Sequence, residues 1–160
     1  MDSLAAYKHK IIDTPAGLKR MLARWRLKNE QVVFTNGCFD VLHLGHFHTL
    51  CAAKNFGTKL IVGLNADNSI KRLKGESRPV FDEQTRLLQL AVLACVDAII
   101  LFEEDTPINL IKQIKPHTLV KGGDYQVDKV VGNTFLKSYG GEVKIIPFLK
   151  GFSTSKIISS

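Results

Sequence analysis

The chain has 160 residues, of which 45% are hydrophobic and 23% charged, and its formal net charge is +7. This length and composition supply the apolar material for one core, so we expect a single folded domain and exclude a disordered chain. The basic excess favours an anionic ligand, and a triphosphate, a phosphorylated sugar or a nucleic acid would all fit.

Further classes of protein are disfavoured by the distribution of residues. No apolar run approaches the roughly 20 residues that cross a bilayer, and the N-terminal residues lack a signal-peptide pattern, so we expect a cytoplasmic protein with no membrane partner. No basic block is interleaved with aromatic residues, which speaks against a nucleic-acid partner. Cys38, Cys51 and Cys95 are odd in number and widely spaced, so we expect reduced thiols and no zinc site.

The first part of the chain predicts a leading helix and then a βαβ unit. Thr14 is the predicted N-cap of a helix over 14–28, with Pro15 at its first position. Strands are predicted over 31–39 and 59–67, with a helix over 44–57 between them. Residues 68–81 are rich in charge and contain Gly and Pro, so we predict a loop that lies over a ligand.

The second part continues the alternation of helices and strands. Asp82 is a predicted N-cap for the helix that follows the loop. Strands are then predicted over 97–102, 117–123 and 142–148, separated by helices over 106–115 and 128–141. We therefore predict an α/β, Rossmann-like, doubly wound parallel sheet of five strands with helices on both faces. The leading segment is 1–30, and the catalytic core is 31–158.

Ligands of such a sheet bind beyond the carboxyl ends of its strands, and the sharpest motif lies at one of these ends. His43-Leu44-Gly45-His46 stands where the first strand passes into the first helix of the core. The first turn of a helix has unpaired N–H groups and the positive end of the helix dipole, which attract phosphate. Two imidazoles three residues apart would lie on one side of that turn, and Gly45 would let a ligand approach the backbone. The pattern predicts a polyphosphate clamp; core histidines or a metal pair are the alternatives.

Other strand ends carry weaker signals of the same kind. Asn36-Gly37 permits close approach of a phosphate, although this dipeptide is also common in turns. Lys121 could reach a phosphate from its strand end, and Asp124 could bind hydroxyls or Mg²⁺, although Lys-Gly-Gly-Asp also suits a plain turn. The basic residues of the predicted loop suit phosphates as well as a solvated face; they are Lys71, Arg72, Lys74 and Arg78.

The residues TNGCFDVLHLGH near the front and GFSTSKI at the end resemble the HxGH nucleotidyltransferase superfamily, in its cytidylyltransferase-like branch, over about residues 31–158. Within it, NADNSIKRLKGESRPV, FEEDTP and LVKGGDY resemble the adenylyltransferase part of the ADP-heptose synthesis proteins. The resemblance implies attack by heptose 1-phosphate on the α-phosphorus of ATP, with Mg²⁺ carried by the triphosphate, giving ADP-heptose for lipopolysaccharide core and pyrophosphate.

The same resemblance implies a role for each matching residue. His43, His46 and Lys121 would be catalytic. Nucleotide binding would fall to Asn36, Gly37, Cys38, Phe39, Gly45, Gly123, Ser153, Thr154 and Ser155. Sugar-phosphate binding would fall to Asn65, Asp67, Lys71, Lys74, Arg78 and Asp124.

Two further expectations and two alternatives accompany this interpretation. Many relatives are fused to a sugar kinase domain, which this chain is too short to contain. We therefore expect a separate kinase to supply the sugar phosphate, and we also expect a homodimer. A glycerol- or ribitol-phosphate cytidylyltransferase is the first alternative; its closing motif commonly has an Arg where this chain has Phe148. A nucleotide- or RNA-binding module without chemistry is the second.

Overall fold

The computed structural model describes residues 3–149, and a parallel sheet of five strands forms its centre. The strands run in the order β3-β2-β1-β4-β5, and every neighbouring pair is parallel. The predicted α/β, Rossmann-like fold class is therefore confirmed. The strands are β1 (Val32–Gly37), β2 (Lys59–Asn65), β3 (Ala98–Phe102), β4 (Thr118–Gly122) and β5 (Glu142–Ile146).

The chain order of the strands places a crevice between β1 and β4. From β1 the chain moves outward to β2 and β3, and it then crosses back to pair β4 with the other side of β1. The strand order thus reverses at β1 and β4, and in an open parallel sheet the ligand crevice lies at such a reversal.

Seven helices accompany the strands over the described residues. Thr14 accepts the N–H of Gly17 at 3.0 Å and Asp82 that of Thr85 at 2.7 Å, so both predicted N-caps are confirmed. The helices are α1 (Ala5–Lys8), α2 (Pro15–Leu27), α3 (Leu44–Lys54), α4 (Asp67–Lys74), α5 (Glu83–Ala91), α6 (Ile108–Ile114) and α7 (Asn133–Lys137).

Alternate side chains of the strands enter two separate cores. On one face Phe34 and Ile61 pack with Leu18 of α2 and Ile111 of α6. On the other face Val33, Leu60 and Val62 pack with Leu50 of α3 and Leu90 of α5. Because both faces of the sheet are covered, its strands are almost continuously apolar in sequence. No helix of residues 3–149 has the length and apolar character needed to span a bilayer.

The prediction of a loop over 68–81 is wrong in its first half, where α4 lies. Ser69 and Ile70 are fully buried, whereas Lys71 and Lys74 are exposed. With Ile70 as its one buried apolar side chain, the helix lacks the repeated apolar spacing by which helices are recognised. Gly75, at φ +97°, ends it, and 75–81 remain non-helical.

The prediction of one helix over 128–141 is also wrong. A 3-10 turn covers Val127–Lys129, Val130 is extended, and α7 spans only Asn133–Lys137. Gly132 separates the two pieces with φ +95°, in the left-handed region that glycine tolerates. Its missing side chain also leaves space for Ile111, because a Cβ there would lie 2.8 Å from Ile111 Cδ1.

Candidate active site

The two histidines of the HxGH motif form a compact pair at the N-terminus of α3. His43 is the N-cap, with extended backbone at φ −141°, and its Nδ1 accepts the N–H of Gly45 at 3.1 Å. His46 lies in the first turn, and its Nδ1 accepts the N–H of His43 at 3.4 Å. The two rings stack with their centroids 3.9 Å apart. The sequence thus uses histidines where a capping box has Ser or Thr and Glu or Gln.

These hydrogen bonds decide which ring nitrogens carry protons. Since each Nδ1 accepts an N–H, each neutral ring has its proton on Nε2. Burial, followed by the charges of His43 and Lys74, lowers the pKa of His46 to about 4, against a smaller raising effect of a hydrogen bond to the Val41 backbone, and burial lowers the pKa of His43. At neutral pH the pair therefore offers two uncharged Nε2–H donors.

Lys121 and Asn36 meet across the β1–β4 crevice. The Lys121 ammonium donates to Asn36 Oδ1 at 2.5 Å, so its partner is an amide rather than a carboxylate. Burial lowers the pKa of Lys121 to about 8, against a smaller opposite effect of Cys38. A lysine held this way has a charge that an anion entering the crevice would stabilise. Two of the predicted site residues are thus brought together.

At two glycines of the predicted site, the backbone lies against an aromatic ring. A Cβ on Gly37 would lie 3.1 Å from the ring of Phe39, and one on Gly123 would lie 2.7 Å from Phe148. Phe39 is buried, and its ring centroid lies 5.4 Å from that of His46. Phe39 therefore supports the imidazole of His46 from the core side.

At the end of β2, the polar side chains contact other groups of the protein. Asn65 is 4% exposed, and its Nδ2 donates to Ser69 Oγ at 3.0 Å. The carboxylate of Asp67 pairs with Arg86 at 2.6 Å. The structure therefore places Asn65 beneath the surface of the site, and the sugar-binding roles of Asn65 and Asp67 stay predictions.

The basic residues of 71–78 divide into three groups. Lys74, in the last turn of α4, acts on the pKa of His46, so its charge lies near the histidine pair. Arg72 turns away, to Asp105 at 2.9 Å, whereas Lys71 is exposed. Arg78 belongs to the non-helical segment 75–81, and its side chain pairs with Asp40 at 2.6 Å. Lys74 is therefore the member of the predicted cluster that the fold brings to the histidines.

Sequence reasoning missed Arg86, which holds three segments of the site together. Its side chain is fully buried and donates to four acceptors around the ends of β1 and β2. The acceptors are Phe81 O at 3.0 Å, Cys38 O at 2.8 Å, Asn65 O at 2.8 Å and Asp67 Oδ1 at 2.6 Å. The available signal was its position beside Leu87 and Leu90, on the buried face of an amphipathic helix.

Asp40, inside the motif segment, was missed as well. It is 2% exposed, and one oxygen accepts the N–H groups of Val80 at 2.6 Å and Phe81 at 3.2 Å. With the Arg78 pair, these bonds fasten the loop after α4 to the turn that precedes His43.

Three parts of the predicted site need separate mention. Asp124 is exposed just beyond β4. Ser153, Thr154 and Ser155 lie outside the described residues. Within 3–149, no group of three or more His, Cys, Asp or Glu side chains is placed to hold a metal ion.

The cytidylyltransferase-like family profile matches residues 34–160 of the chain. A curated relative, the bifunctional protein HldE of Koribacter versatilis, is 48% identical over 98% of the chain, and that of Trichlorobacter lovleyi is 54% identical over 88%. The chain spans about a third of the length of these relatives.

Two solved structures share the fold. A lipopolysaccharide core biosynthesis protein from Thermoplasma volcanium is 33% identical, with a TM-score of 0.62 over 77% of this chain and 99% of that one. Pantothenate synthetase from Thermus thermophilus is 16% identical, with a TM-score of 0.64 over 92% of this chain and 67% of that one, which shows a shared fold.

Proposed function

The chain belongs to the cytidylyltransferase-like family, and from this membership we propose that it is an adenylyltransferase that joins heptose 1-phosphate to the α-phosphate of ATP. The products are ADP-heptose and pyrophosphate, for lipopolysaccharide core. The identity of about 50% to HldE proteins supports this choice, as does the likeness to the Thermoplasma protein.

The observation that carries the proposal is the His43–His46 pair at the start of α3, the helix that follows β1, with Lys121 at the end of the neighbouring strand β4. Two Nε2–H donors and one ammonium thus belong to the ends of β1 and β4, where a doubly wound sheet binds its ligand. All of these groups stabilise negative charge, and none of them is arranged as an activated nucleophile. This set suits direct transfer of a nucleotidyl group, in which the protein positions the reactants and stabilises charge.

The proposed mechanism is a single in-line displacement. A phosphate oxygen of the sugar phosphate attacks the α-phosphorus of ATP, the new P–O bond forms, and the bond to pyrophosphate breaks with its electron pair. His43 and His46 donate through Nε2 to oxygens whose charge rises in the transition state, and Lys121 neutralises the triphosphate. No proton has to leave the attacking phosphate dianion, so no general base is needed.

Mg²⁺ enters this proposal as a companion of the triphosphate. The described residues hold no cluster of ligands for a resident metal, and their cations and N–H donors suit the phosphates themselves. When bound, Mg²⁺ would supply further charge neutralisation on the phosphates. Ser153, Thr154 and Ser155 are proposed to bind the triphosphate from the C-terminal segment. The separate kinase and the homodimer also stay proposals.

The first alternative remains a glycerol- or ribitol-phosphate cytidylyltransferase. At the position where those enzymes commonly have an Arg, the Phe148 ring lies over Gly123 and supplies no charge. This contact weakens the alternative. The second alternative, a binding module without chemistry, would release no pyrophosphate with any sugar phosphate.

The test is pyrophosphate release from the purified chain with Mg²⁺ and each of ATP, CTP, GTP and UTP. Heptose 1-phosphate and glycerol 3-phosphate are supplied in parallel. We expect release with ATP and heptose 1-phosphate. Release confined to CTP and glycerol 3-phosphate would establish the first alternative, and nucleotide binding without release in every combination would establish the second.

A further inference from the structure

Two of the three cysteines lie together, away from the histidine pair. Cys51 is exposed on α3, and Cys95 is half-buried in the turn before β3, packed against the core on that face. The Cys51 side chain lies close enough to Cys95 to act on the pKa of the Cys95 thiol. A contact between thiols from segments 44 residues apart in sequence is a feature that the proposed reaction does not use.

A second set of contacts fixes these two segments against each other. Lys54, one turn after Cys51 on the same helix face, donates to Asp97 Oδ2 at 2.5 Å. Asp97 follows Cys95 by two residues, and the same oxygen accepts the N–H of Leu60 at 2.7 Å. The ion pair therefore holds the Cys51 side of α3 on the 95–97 segment, and the proximity of the thiols is a property of the fold.

We propose that Cys51 and Cys95 form a dithiol site that a small-molecule disulfide, such as glutathione disulfide, converts reversibly into an intramolecular disulfide. The Cys51 thiolate attacks one sulfur of the reagent, and one glutathione thiolate leaves. The Cys95 thiol then gives its proton to solvent and attacks Cys51 Sγ, which releases the second glutathione. Two protein thiols are oxidised, and one glutathione disulfide is reduced to two glutathione molecules.

The order of the two steps follows from exposure. Cys51 is open to the reagent, whereas burial and the neighbouring Cys51 raise the pKa of Cys95 to about 11, against smaller lowering effects of a backbone hydrogen bond and of Lys10. Lys54, Lys59 and Asp97 are further charged groups at this junction, and both lysines pair with Asp97, at 2.5 Å and 3.6 Å. Because the thiolate is the nucleophile, closure of the disulfide becomes faster as the pH rises from 7 to 9.

Peptide mapping tests the proposal directly, and its outcome does not depend on the proposed function. The folded chain is treated with glutathione disulfide or diamide at pH 8.5, free thiols are alkylated, and the protein is cut before aspartates. This cleavage puts Cys38 in peptide 13–39, Cys51 in 40–66 and Cys95 in 82–96. We expect 40–66 joined to 82–96, with Cys38 alkylated, and release of the two peptides by dithiothreitol.

Matched variants separate this site from general thiol oxidation. Cys38→Ser should form the same link, whereas Cys51→Ser and Cys95→Ser should not form it. The oxidised wild-type chain should also unfold at a temperature higher by on the order of 5 °C, because the link closes a long loop, and reduction should reverse the shift. The proposal is overturned if all three thiols remain alkylatable with both oxidants, if glutathione stays on Cys51 at pH 8.5, or if Cys38 takes part in the link.

Discussion

The imidazoles of His43 and His46 stack at 3.9 Å between centroids, and each Nδ1 accepts a backbone N–H at the start of α3. The helix terminus thereby fixes both rings with their Nε2–H groups as the remaining donors. A motif that a sequence displays as two histidines is thus, in three dimensions, a rigid pair of neutral hydrogen-bond donors.

Removal of one ring of this pair should affect turnover far more than binding. In His46→Ala we expect the rate of pyrophosphate release to fall at least about 100-fold, while the affinity for ATP stays within about tenfold, because the His46 contact strengthens in the transition state. Steady-state kinetics and calorimetry measure the two quantities. His48→Ala, an exposed position on the same helix, is the control and should behave as wild type. Near-normal turnover in His46→Ala would remove the assigned role.

Acid should destabilise the chain through His46. The pKa of the folded-state His46 is about 4, below the ordinary value of 6.5, so the unfolded state binds the proton first as the pH falls. The stability that this neutral ring contributes is complete above pH 6.5 and is lost between about pH 6.5 and 4. Urea unfolding at pH 7 and pH 4.5 should show a loss on the order of 2 kcal/mol in wild type that is smaller in His46→Asn. Between the two pH values, His48→Asn should lose as much free energy of unfolding as wild type. Equal losses in all three proteins would contradict the expectation.

A rise in pH should reduce activity through the loss of the proton on Lys121. Its pKa of about 8 means that the free protein loses this charge as the pH rises through 8, and with it the attraction for the triphosphate. We expect kcat/KM for ATP to fall above pH 8 in wild type. Lys121→Arg should be slower but should lack this alkaline decrease, because guanidinium stays charged. Lys144→Arg, on the exposed side of β5, should keep it. An unchanged alkaline decrease in Lys121→Arg would assign the titration to another group.

Arg86 should be far more important for stability than its sequence position suggests. Arg86→Met leaves a carboxylate and three carbonyl oxygens without their shared donor, which should cost about 3–5 kcal/mol in the free energy of unfolding. Arg72→Met removes the exposed pair with Asp105 and should cost less than about 1 kcal/mol. Urea unfolding compares them, and similar values for both variants would refute the bracing role of Arg86.

The parts of the fold that sequence predicted are those with strong local signals. The five strands were recognisable because strands covered on both faces are continuously apolar, and Thr14 and Asp82 are caps whose side chains bond to nearby N–H groups. The helix α4 was not recognisable because Ile70 is its one buried apolar residue. At 128–141, the left-handed Gly132 interrupts a pattern that otherwise reads as helical.

The sequence predicted the histidine motif and Lys121, but it did not predict the contacts of Asp40 and Arg86, which hold segments of the site together. His43, His46 and Lys121 lie at strand ends, where the topology alone brings them to one edge. Most partners of Asp40 and Arg86 lie 19 to 48 residues away in sequence, so local spacing does not reveal these contacts. The position of Arg86 on the apolar face of α5 indicates that it is buried, but it does not indicate which groups accept its hydrogen bonds.

The most direct measurement follows the phosphorus atoms of ATP in the presence of heptose 1-phosphate, Mg²⁺ and the purified chain. With ATP labelled at the α-phosphorus we predict that the label enters a nucleotide sugar, and with ATP labelled at the γ-phosphorus that it enters pyrophosphate. Transfer of the γ-label to the sugar phosphate, or recovery of both labels in unchanged ATP, would contradict adenylyl transfer as the reaction of this site.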